Sequence, residues 1–286
     1  MTDAARSSAS PIAAMGNALG PAVVEAVRAL YDAEQQALAA RVPVLAADCA
    51  YGPHPRNQLD LYRTAPAGGL PVVLFVHGGG FRLGDKGGVQ DWQNAAVART
   101  MAEAGFLGAA MNYRLLPEAR WPDGGEDVVA AVEWLRANAA AHGGDPARIF
   151  VIGTSAGAVH IATALRLRPD LPVAGVVLLS GLYGYTPLDG RDEPYYGPNA
   201  DYADRMPRTA VAGCRIPMLV ACAEHDPVRF QAEFLGLMHE RLDLHGAMPK
   251  AAIVAGHNHY SLAMHIGTTD RGLADRIIAF VDETGA

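Results

Sequence analysis

This 286-residue sequence contains little cysteine and no long apolar run. The three cysteines, Cys49, Cys214 and Cys222, are too few and too widely spaced for a disulfide framework or a zinc ribbon. No apolar run approaches the ~20 residues that a membrane span needs. The N-terminus lacks the basic start and continuous apolar core of a signal peptide. We therefore expect a cytoplasmic protein without a membrane span.

Positive charge is also in short supply. The formal net charge is −7, and no stretch is rich in lysine and arginine. Such a chain lacks the basic surface that attracts nucleic acid, so nucleic acid is not expected as a partner. No His-Glu-x-x-His zinc pair occurs, and "GTSAGA" does not fit the dinucleotide-binding fingerprint. We expect neither a metal nor a cofactor.

What the sequence does contain is an alternation of apolar strand patterns with helical patterns. Strands that are apolar on both faces and alternate with helices indicate the α/β class, a mostly parallel sheet with helices on both faces. We predict a catalytic domain over 41–286 and an N-terminal helical segment over 1–40, with the first fifteen or so residues loose. Strands are predicted at 57–63, 71–76, 106–115, 148–155, 173–180, 217–226 and 250–259.

One segment, 182–213, breaks this alternation. It carries five tyrosines, four prolines and many turn-forming residues. An insertion of this kind lies beyond the carboxyl ends of the strands, where α/β proteins bind ligands. We predict a small cap over a pocket, the alternative being a structural surface loop. Substrate contacts are predicted for Phe81, Tyr183, Tyr185 and Tyr195.

The pentapeptide Gly153-Thr154-Ser155-Ala156-Gly157 falls where a predicted strand gives way to a helix. Glycines on both sides of a serine allow the tight turn that lifts its hydroxyl above the sheet. The helix that follows points its positive dipole end at the same place. Ser155 is therefore a candidate nucleophile, although the pentapeptide alone is only moderately specific.

A second motif, "HGGG" at 77–80, follows the strand "VVLFV". Consecutive glycines leave backbone N–H groups open toward a ligand, and acyl hydrolysis needs such donors at the developing oxyanion. We predict that the N–H groups of Gly79, Gly80 and Ala156 form this oxyanion hole. We predict a structural role for His77, which braces the loop by hydrogen bonds.

An acid and a base follow the serine at the ends of later strands. A serine hydroxyl needs a histidine to take its proton, and the histidine needs a carboxylate to hold its tautomer. The stretch "ACAEHDPV" offers Asp226, with Glu224 as the lesser candidate, and "VAGHNHYS" offers His257 and His259. We favour His259, because it lies far enough past the strand to reach the loop above the sheet.

In combination, these motifs resemble the hormone-sensitive-lipase-like carboxylesterases of the α/β-hydrolase superfamily. The resemblance rests on "HGGGFRLGDK", "NYRLLPEARWPDGGEDVV", "GTSAG" and "EHDPV" and extends from 57 to 261. It implies Ser155 as nucleophile, Asp226 as acid, His259 as base, and an N-terminal segment that joins the cap. Thr154 stands where many members carry Asp. The short stretch from Ser155 to Asp226 implies a reduced cap.

The function predicted from the sequence is therefore hydrolysis of small or short-chain carboxylic esters through an acyl-enzyme. Two alternatives stay open. "GHNHYS" and "FRLGDK" also resemble small arylformamidase-like esterases, which cleave a formamide on an aromatic ring. A catalytically silent receptor for small molecules on the same fold is the other alternative. The sequence is compatible with a homodimer, which no residue pattern proves.

Overall fold

The structure, a computed structural model, describes residues 10–66, 68–87 and 92–285. Within these ranges the chain forms one eight-stranded sheet. The strands are β1 (Val44–Ala50), β2 (Gln58–Tyr62), β3 (Leu70–Val76), β4 (Leu107–Met111), β5 (Gly144–Thr154), β6 (Gly175–Leu179), β7 (Met218–His225) and β8 (Lys250–Asn258).

Helices fill most of the segments between the strands. They are α1 (Pro11–Met15), α2 (Pro21–Arg41), α3 (Ala96–Glu103), α4 (Asp123–Asn138), α5 (Ala156–Leu167), α6 (Glu193–Tyr196), α7 (Asn199–Arg205), α8 (Arg208–Gly213), α9 (Val228–His245), α10 (Ser261–Met264) and α11 (Gly272–Gly285). Short 3₁₀ turns at Trp92–Ala95 and Ala139–His142 adjoin α3 and α4.

The strand order is β1-β2-β4-β3-β5-β6-β7-β8. β2 is antiparallel to both β1 and β4, and every other neighbouring pair is parallel. The carboxyl ends of β3 to β8 therefore meet along one edge of the sheet. Ligands of open α/β sheets bind at this edge. The predicted mostly parallel α/β sheet is confirmed.

Side-chain alternation along the central strands supplies two separate cores. In β3, Val72 and Leu74 face one side, while Val73 and Phe75 face the other, and all four are buried. The first face packs against α4, α5, α8 and α9, and the second packs against α3, α10 and α11. This two-sided burial explains why the strands are apolar throughout.

Two N-terminal features differ from the sequence prediction. β1 was not predicted, because its sequence, VLAADCA, does not alternate apolar and polar residues; it is an edge strand whose side chains are mostly exposed. The prediction of a loose start is wrong for Pro11–Met15, which form a helix against β8 with Ile12 buried. The earlier part of that prediction, residues 1–9, lies outside the described residues.

The tyrosine-rich segment 182–213 divides into two parts. Tyr195, Tyr196 and Tyr202, on α6 and α7, are buried in an aromatic cluster beside the HGGG loop. By contrast, Val211 and Ala212 on α8 belong to the main core, packed with α5 and α9. The part before α8 therefore packs beside the HGGG loop, whereas α8 packs in the main core, and the cap over 182–213 stays a prediction.

The structure also bears on the predictions about disulfide bonds and membrane spans. Cys49, Cys214 and Cys222 are all free. Across the described ranges, none of the helices has the length and apolarity to cross a bilayer.

Candidate active site

Ser155 occupies the turn between β5 and α5. Its backbone has φ 52° and ψ −119°, a positive φ that non-glycine residues rarely adopt and that often marks functional sites. The turn also requires glycine nearby, because a Cβ on Gly157 would lie 2.1 Å from the carbonyl oxygen of Val76. This close approach of α5 to β3 explains the spacing of the pentapeptide and leaves the Ser155 side chain partly accessible.

Ser155, His259 and Asp226 form a continuous hydrogen-bonded chain. His259 Nε2 lies 2.9 Å from Ser155 Oγ, and His259 Nδ1 lies 2.8 Å from Asp226 Oδ1. Because a carboxylate can only accept, Nδ1 carries the imidazole proton and Nε2 is free to accept the serine proton. Asp226 is fully buried and His259 nearly so. Of the two histidines and two acids that the sequence left open, these are the two brought to Ser155.

The rejected alternatives have other partners. Glu224 accepts the backbone N–H of Gly256 at 2.7 Å on the exposed edge of the sheet. His257 directs Nε2 to Asp270 at 3.1 Å and Nδ1 to Ser261 Oγ at 3.1 Å. Neither side chain hydrogen-bonds to Ser155.

Asp226 is held by two donors that the sequence analysis did not identify. Ser180 Oγ donates to Asp226 Oδ2 at 2.5 Å, and the backbone N–H of Ala223 donates to the same oxygen at 2.7 Å. Ser180 is buried directly after β6 and has φ 47°, a second strained position beside the site. Its place at a strand end between those of Ser155 and Asp226 was the signal available in the sequence.

The HGGG loop and the first residue of α5 offer three backbone donors near Ser155. Within the described part of the chain, the N–H groups of Gly79, Gly80 and Ala156 donate to no other residue. Gly79 has φ 131°, and a Cβ there would meet the carbonyl oxygen of Leu83 at 2.0 Å, so only glycine fits. Unused N–H groups close to a candidate nucleophile are the arrangement that an oxyanion hole requires.

His77 supports this loop from behind. Its Nδ1 donates to the carbonyl of Gly78 at 2.6 Å, and Tyr113 Oη donates to the carbonyl of His77 at 3.0 Å. Burial lowers the pKa of His77 to about 4, so the ring stays neutral at neutral pH. The bracing role predicted from the sequence agrees with these contacts.

The four predicted substrate residues separate into two pairs. Phe81 and Tyr195 stack face to face, with ring centroids 3.9 Å apart, in the same aromatic cluster as Ala156. Tyr183 and Tyr185 instead pack with the main core, where their backbone N–H groups donate to the buried carboxylate of Glu233. The rings of Tyr183 and Tyr185 pack against the main core, and the substrate contact predicted for them stays a prediction.

Comparison with known proteins finds similar sequences and similar folds. The BD-FAE family model matches residues 59–170. The structure of Esterase B from Lactobacillus rhamnosis has a TM-score of 0.70 at 19% identity, covering 92% of this chain and 94% of that one. The chain has the α/β-hydrolase fold.

Sequence relatives of this α/β-hydrolase carry esterase names. A probable isoprenylcysteine alpha-carbonyl methylesterase from Oryza sativa subsp. japonica, ICMEL1, is 42% identical over 126 residues, 44% of this chain and 28% of that protein. Carboxylesterase NlhH from Mycobacterium tuberculosis H37Rv is 33% identical over 189 residues, 56% of this chain and 57% of NlhH. The chain therefore spans less than two thirds of each relative's length. The predicted resemblance to carboxylesterases of this superfamily is confirmed.

Proposed function

We propose that this α/β-hydrolase is a serine carboxylesterase with Ser155 as nucleophile, His259 as base and Asp226 as the orienting acid. The observation that carries the proposal is the unbroken hydrogen-bonded chain from Ser155 Oγ through His259 to Asp226 Oδ1, at 2.9 and 2.8 Å. Such a chain activates a hydroxyl that would otherwise be a poor nucleophile at neutral pH. The esterase names of the sequence relatives point to the same activity.

In the acylation step, Ser155 Oγ attacks the ester carbonyl carbon while His259 Nε2 takes the hydroxyl proton. The negative charge that develops on the carbonyl oxygen is held by the N–H groups of Gly79, Gly80 and Ala156, each worth about 3 kcal/mol in the transition state. Asp226 stabilises the imidazolium that forms. His259 then gives its proton to the leaving alkoxide, which departs as the alcohol and leaves Ser155 acylated.

In the deacylation step, a water molecule takes the place of the alcohol. His259 removes a proton from this water as its oxygen attacks the acyl carbon, and the same three N–H groups stabilise the second oxyanion. Collapse of this intermediate returns the proton to Ser155 Oγ and releases the carboxylic acid. The proposed cycle is complete with groups of the chain and water.

We propose a small or short-chain acyl group as the preferred substrate. Phe81 and Tyr195 are 3% and 2% exposed and stack on each other beside Ala156, so they fill the space on that side of Ser155. A long acyl chain would have to displace this pair. Their proposed role is therefore to limit acyl size.

We further propose that the segment from 182 to 206 forms the cap with help from the N-terminal segment. Leu19 packs against the aromatic cluster, and the N–H of Gly20 donates to Tyr260 Oη at 2.9 Å, next to His259. The N-terminal segment thereby reaches the histidine loop and the tyrosine-rich segment together.

The homodimer stays a prediction, which light scattering on the full chain would check.

The test is hydrolysis of p-nitrophenyl esters from acetate to decanoate, with the wild type and Ser155→Ala. We expect short esters to be cleaved best and kcat to fall by about 10⁶-fold in the variant. The two histidines form a matched pair, because they lie two residues apart at the end of β8 and both contact a carboxylate. His259→Gln should lose activity nearly as completely as Ser155→Ala, whereas His257→Gln should lose far less.

Two additional substrates separate the remaining alternatives. N-formylkynurenine tests the arylformamidase-like resemblance, and a prenylcysteine methyl ester tests the activity named for the rice relative. A strong preference for the formamide would replace the ester proposal while keeping the same three residues. A folded wild type that turns over none of these compounds would overturn the proposal and favour the receptor alternative.

A further inference from the structure

A second group of chemistry-bearing side chains lies two residues from His259 and plays no part in the proposed cycle. It consists of His257 at the end of β8, His265 after α10, and Asp270 before α11, which we call the His257–Asp270 cluster. One potential ligand atom from each residue lies within 4.8 Å of the others. The two imidazole rings stack at 3.8 Å with a tilt of 27°.

His265 has the features of a metal ligand that is already oriented. Its Nδ1 donates to the carbonyl of Ser261 at 2.7 Å, so the proton is on Nδ1 and Nε2 carries a lone pair. The side chain is fully buried, and within the described residues Nε2 has no hydrogen-bond partner. Metal-bound histidines almost always donate their other ring N–H in this way.

The segment around His265 is fixed on both sides. Gln35 Nε2, from α2, donates to the carbonyls of Met264 and Ile266 at 2.8 Å each. A buried ring held this firmly cannot swing out to satisfy Nε2 with solvent. A partner for the Nε2 lone pair must therefore come from outside, such as a bound ion.

His257 and Asp270 supply the remaining ligands and the entrance. His257 Nε2 lies 3.1 Å from Asp270 Oδ2, and His257 Nδ1 lies 3.1 Å from Ser261 Oγ. When Nε2 binds an ion, Ser261 Oγ can accept a hydrogen bond from the Nδ1–H group. The Asp270 side chain is 55% exposed, whereas that of His257 is 6% exposed. An ion therefore enters past Asp270 and meets the two imidazoles behind it.

We propose that His257, His265 and Asp270 bind a divalent transition-metal ion such as Zn²⁺. Two neutral imidazoles and one carboxylate are the donor set of an open tetrahedral zinc site, with water in the fourth position. Zinc–ligand bonds near 2.0 Å put neighbouring ligand atoms about 3.3 Å apart. The longest separation, at most 4.8 Å, must therefore close by up to about 1.5 Å, whereas His257 Nε2 and Asp270 Oδ2 are already 3.1 Å apart. The exposed Asp270 side chain has the most freedom to adjust.

The proposal goes beyond the proposed ester hydrolysis and does not depend on it. The site would join the end of β8, α10 and the approach to α11. It also adjoins α2, whose Glu34 accepts the N–H of Thr269 at 2.6 Å. A bound ion would join the end of β8 to the segments on either side of His265 and Asp270, so metal binding should raise the melting temperature of the full chain.

The test is titration of the full chain with Zn²⁺ by calorimetry, with Co²⁺ as a visible-absorption probe of the coordination. The wild type should bind one ion, show d–d bands of four-coordinate Co²⁺, and melt at a higher temperature with the ion present. His265→Gln and Asp270→Asn should each weaken binding by at least ~100-fold, more than the loss of an outer partner costs. Asp270 is exposed, so its variant stays informative if His265→Gln does not fold.

His239→Gln is the matched control. His239 is an exposed histidine whose Nε2 lies 3.5 Å from Asp243 Oδ2. The His239→Gln variant should bind metal as tightly as the wild type. Absence of wild-type binding would overturn the proposal. So would equal binding by the wild type and Asp270→Asn, or loss of binding in the control, because either result would place the ion elsewhere.

Discussion

Removing the Ser180 hydroxyl should slow ester hydrolysis, although Ser180 acts through Asp226 and does not contact the substrate. Ser180 Oγ donates to Asp226 Oδ2 at 2.5 Å, and the other oxygen of Asp226 holds His259 at 2.8 Å. Both side chains are buried, so water cannot replace the lost donor. In Ser180→Ala, Asp226 keeps only the N–H of Ala223 on that oxygen and is free to rotate away from His259.

The size of the effect follows from the charge on the acceptor. A hydrogen bond to a charged group contributes about 1.5–3 kcal/mol, roughly twice the value of a neutral one. If that energy is lost from the orientation of the imidazolium in the transition state, kcat falls by about 10- to 150-fold. KM should stay nearly constant, because Ser180 acts through Asp226 and binds no part of the substrate.

Steady-state kinetics on the best p-nitrophenyl ester would measure this split. Ser180→Gly tests whether backbone strain contributes, since Ser180 has φ 47° and glycine relieves the strain while losing the same hydroxyl. Equal losses in kcat for both variants would assign the effect to the hydrogen bond. Thr163→Val is a matched control, because it deletes a buried hydroxyl that has no partner among the described residues.

A different outcome would refute the reasoning. If Ser180→Ala kept kcat within about twofold of the wild type while the control behaved the same, Asp226 would be held well enough by Ala223 alone. A rise in KM with unchanged kcat would place Ser180 near the substrate and contradict its position behind Asp226.

Two further predictions concern stability. His77, His160 and His265 are buried, and burial lowers their pKa values to about 4, about 3 and about 4. In the unfolded chain these histidines take up protons near pH 6.5, whereas in the folded chain they stay neutral until about pH 4. The free energy of unfolding is therefore highest above pH 6.5 and decreases as the pH falls toward 4. The decrease is about 2 kcal/mol per histidine at pH 5. Urea midpoints that stay flat from pH 7 to pH 5 would contradict this. Glu233→Gln should cost about 3 kcal/mol, because the buried carboxylate accepts four backbone N–H groups and an amide would turn a donor toward some of them. The more exposed Glu240→Gln should cost less than about 1 kcal/mol in the same urea titration, and equal losses would count against the argument.

The sequence was sufficient for the parts of the site that follow from strand ends. Ser155, Asp226 and His259 were identifiable because each follows an apolar strand and because parallel strands bring their carboxyl ends to one edge. The contact between them could be expected from chain order alone. Their catalytic roles remain the proposal that the kinetic tests address.

What the sequence could not supply depends on side-chain direction. Tyr183 and Tyr195 belong to the same tyrosine-rich segment, yet one packs in the main core and the other in the aromatic cluster. Composition does not distinguish these positions, because the segment has no period that fixes a face. Ser180 was missed for a related reason: a serine after a strand is common, and only the geometry shows its hydroxyl donating to Asp226.

The strand order explains why Ser180 lies where it does and why the His259 loop needs so many anchors. Ser155, Ser180, Asp226 and His259 follow β5, β6, β7 and β8, which are successive neighbours in the sheet. With strands about 4.8 Å apart, β8 lies about 14 Å from β5, so His259 must reach back across two strands to meet Ser155. The loop that carries it is held by Asn258 Oδ1, which accepts the N–H of Ser261 at 3.0 Å, and by Ser261 Oγ, which accepts the N–H of Asn258 at 2.9 Å. The reach of His259 thus depends on a loop fixed at its base, and one of the fixing residues, Ser261, also contacts His257.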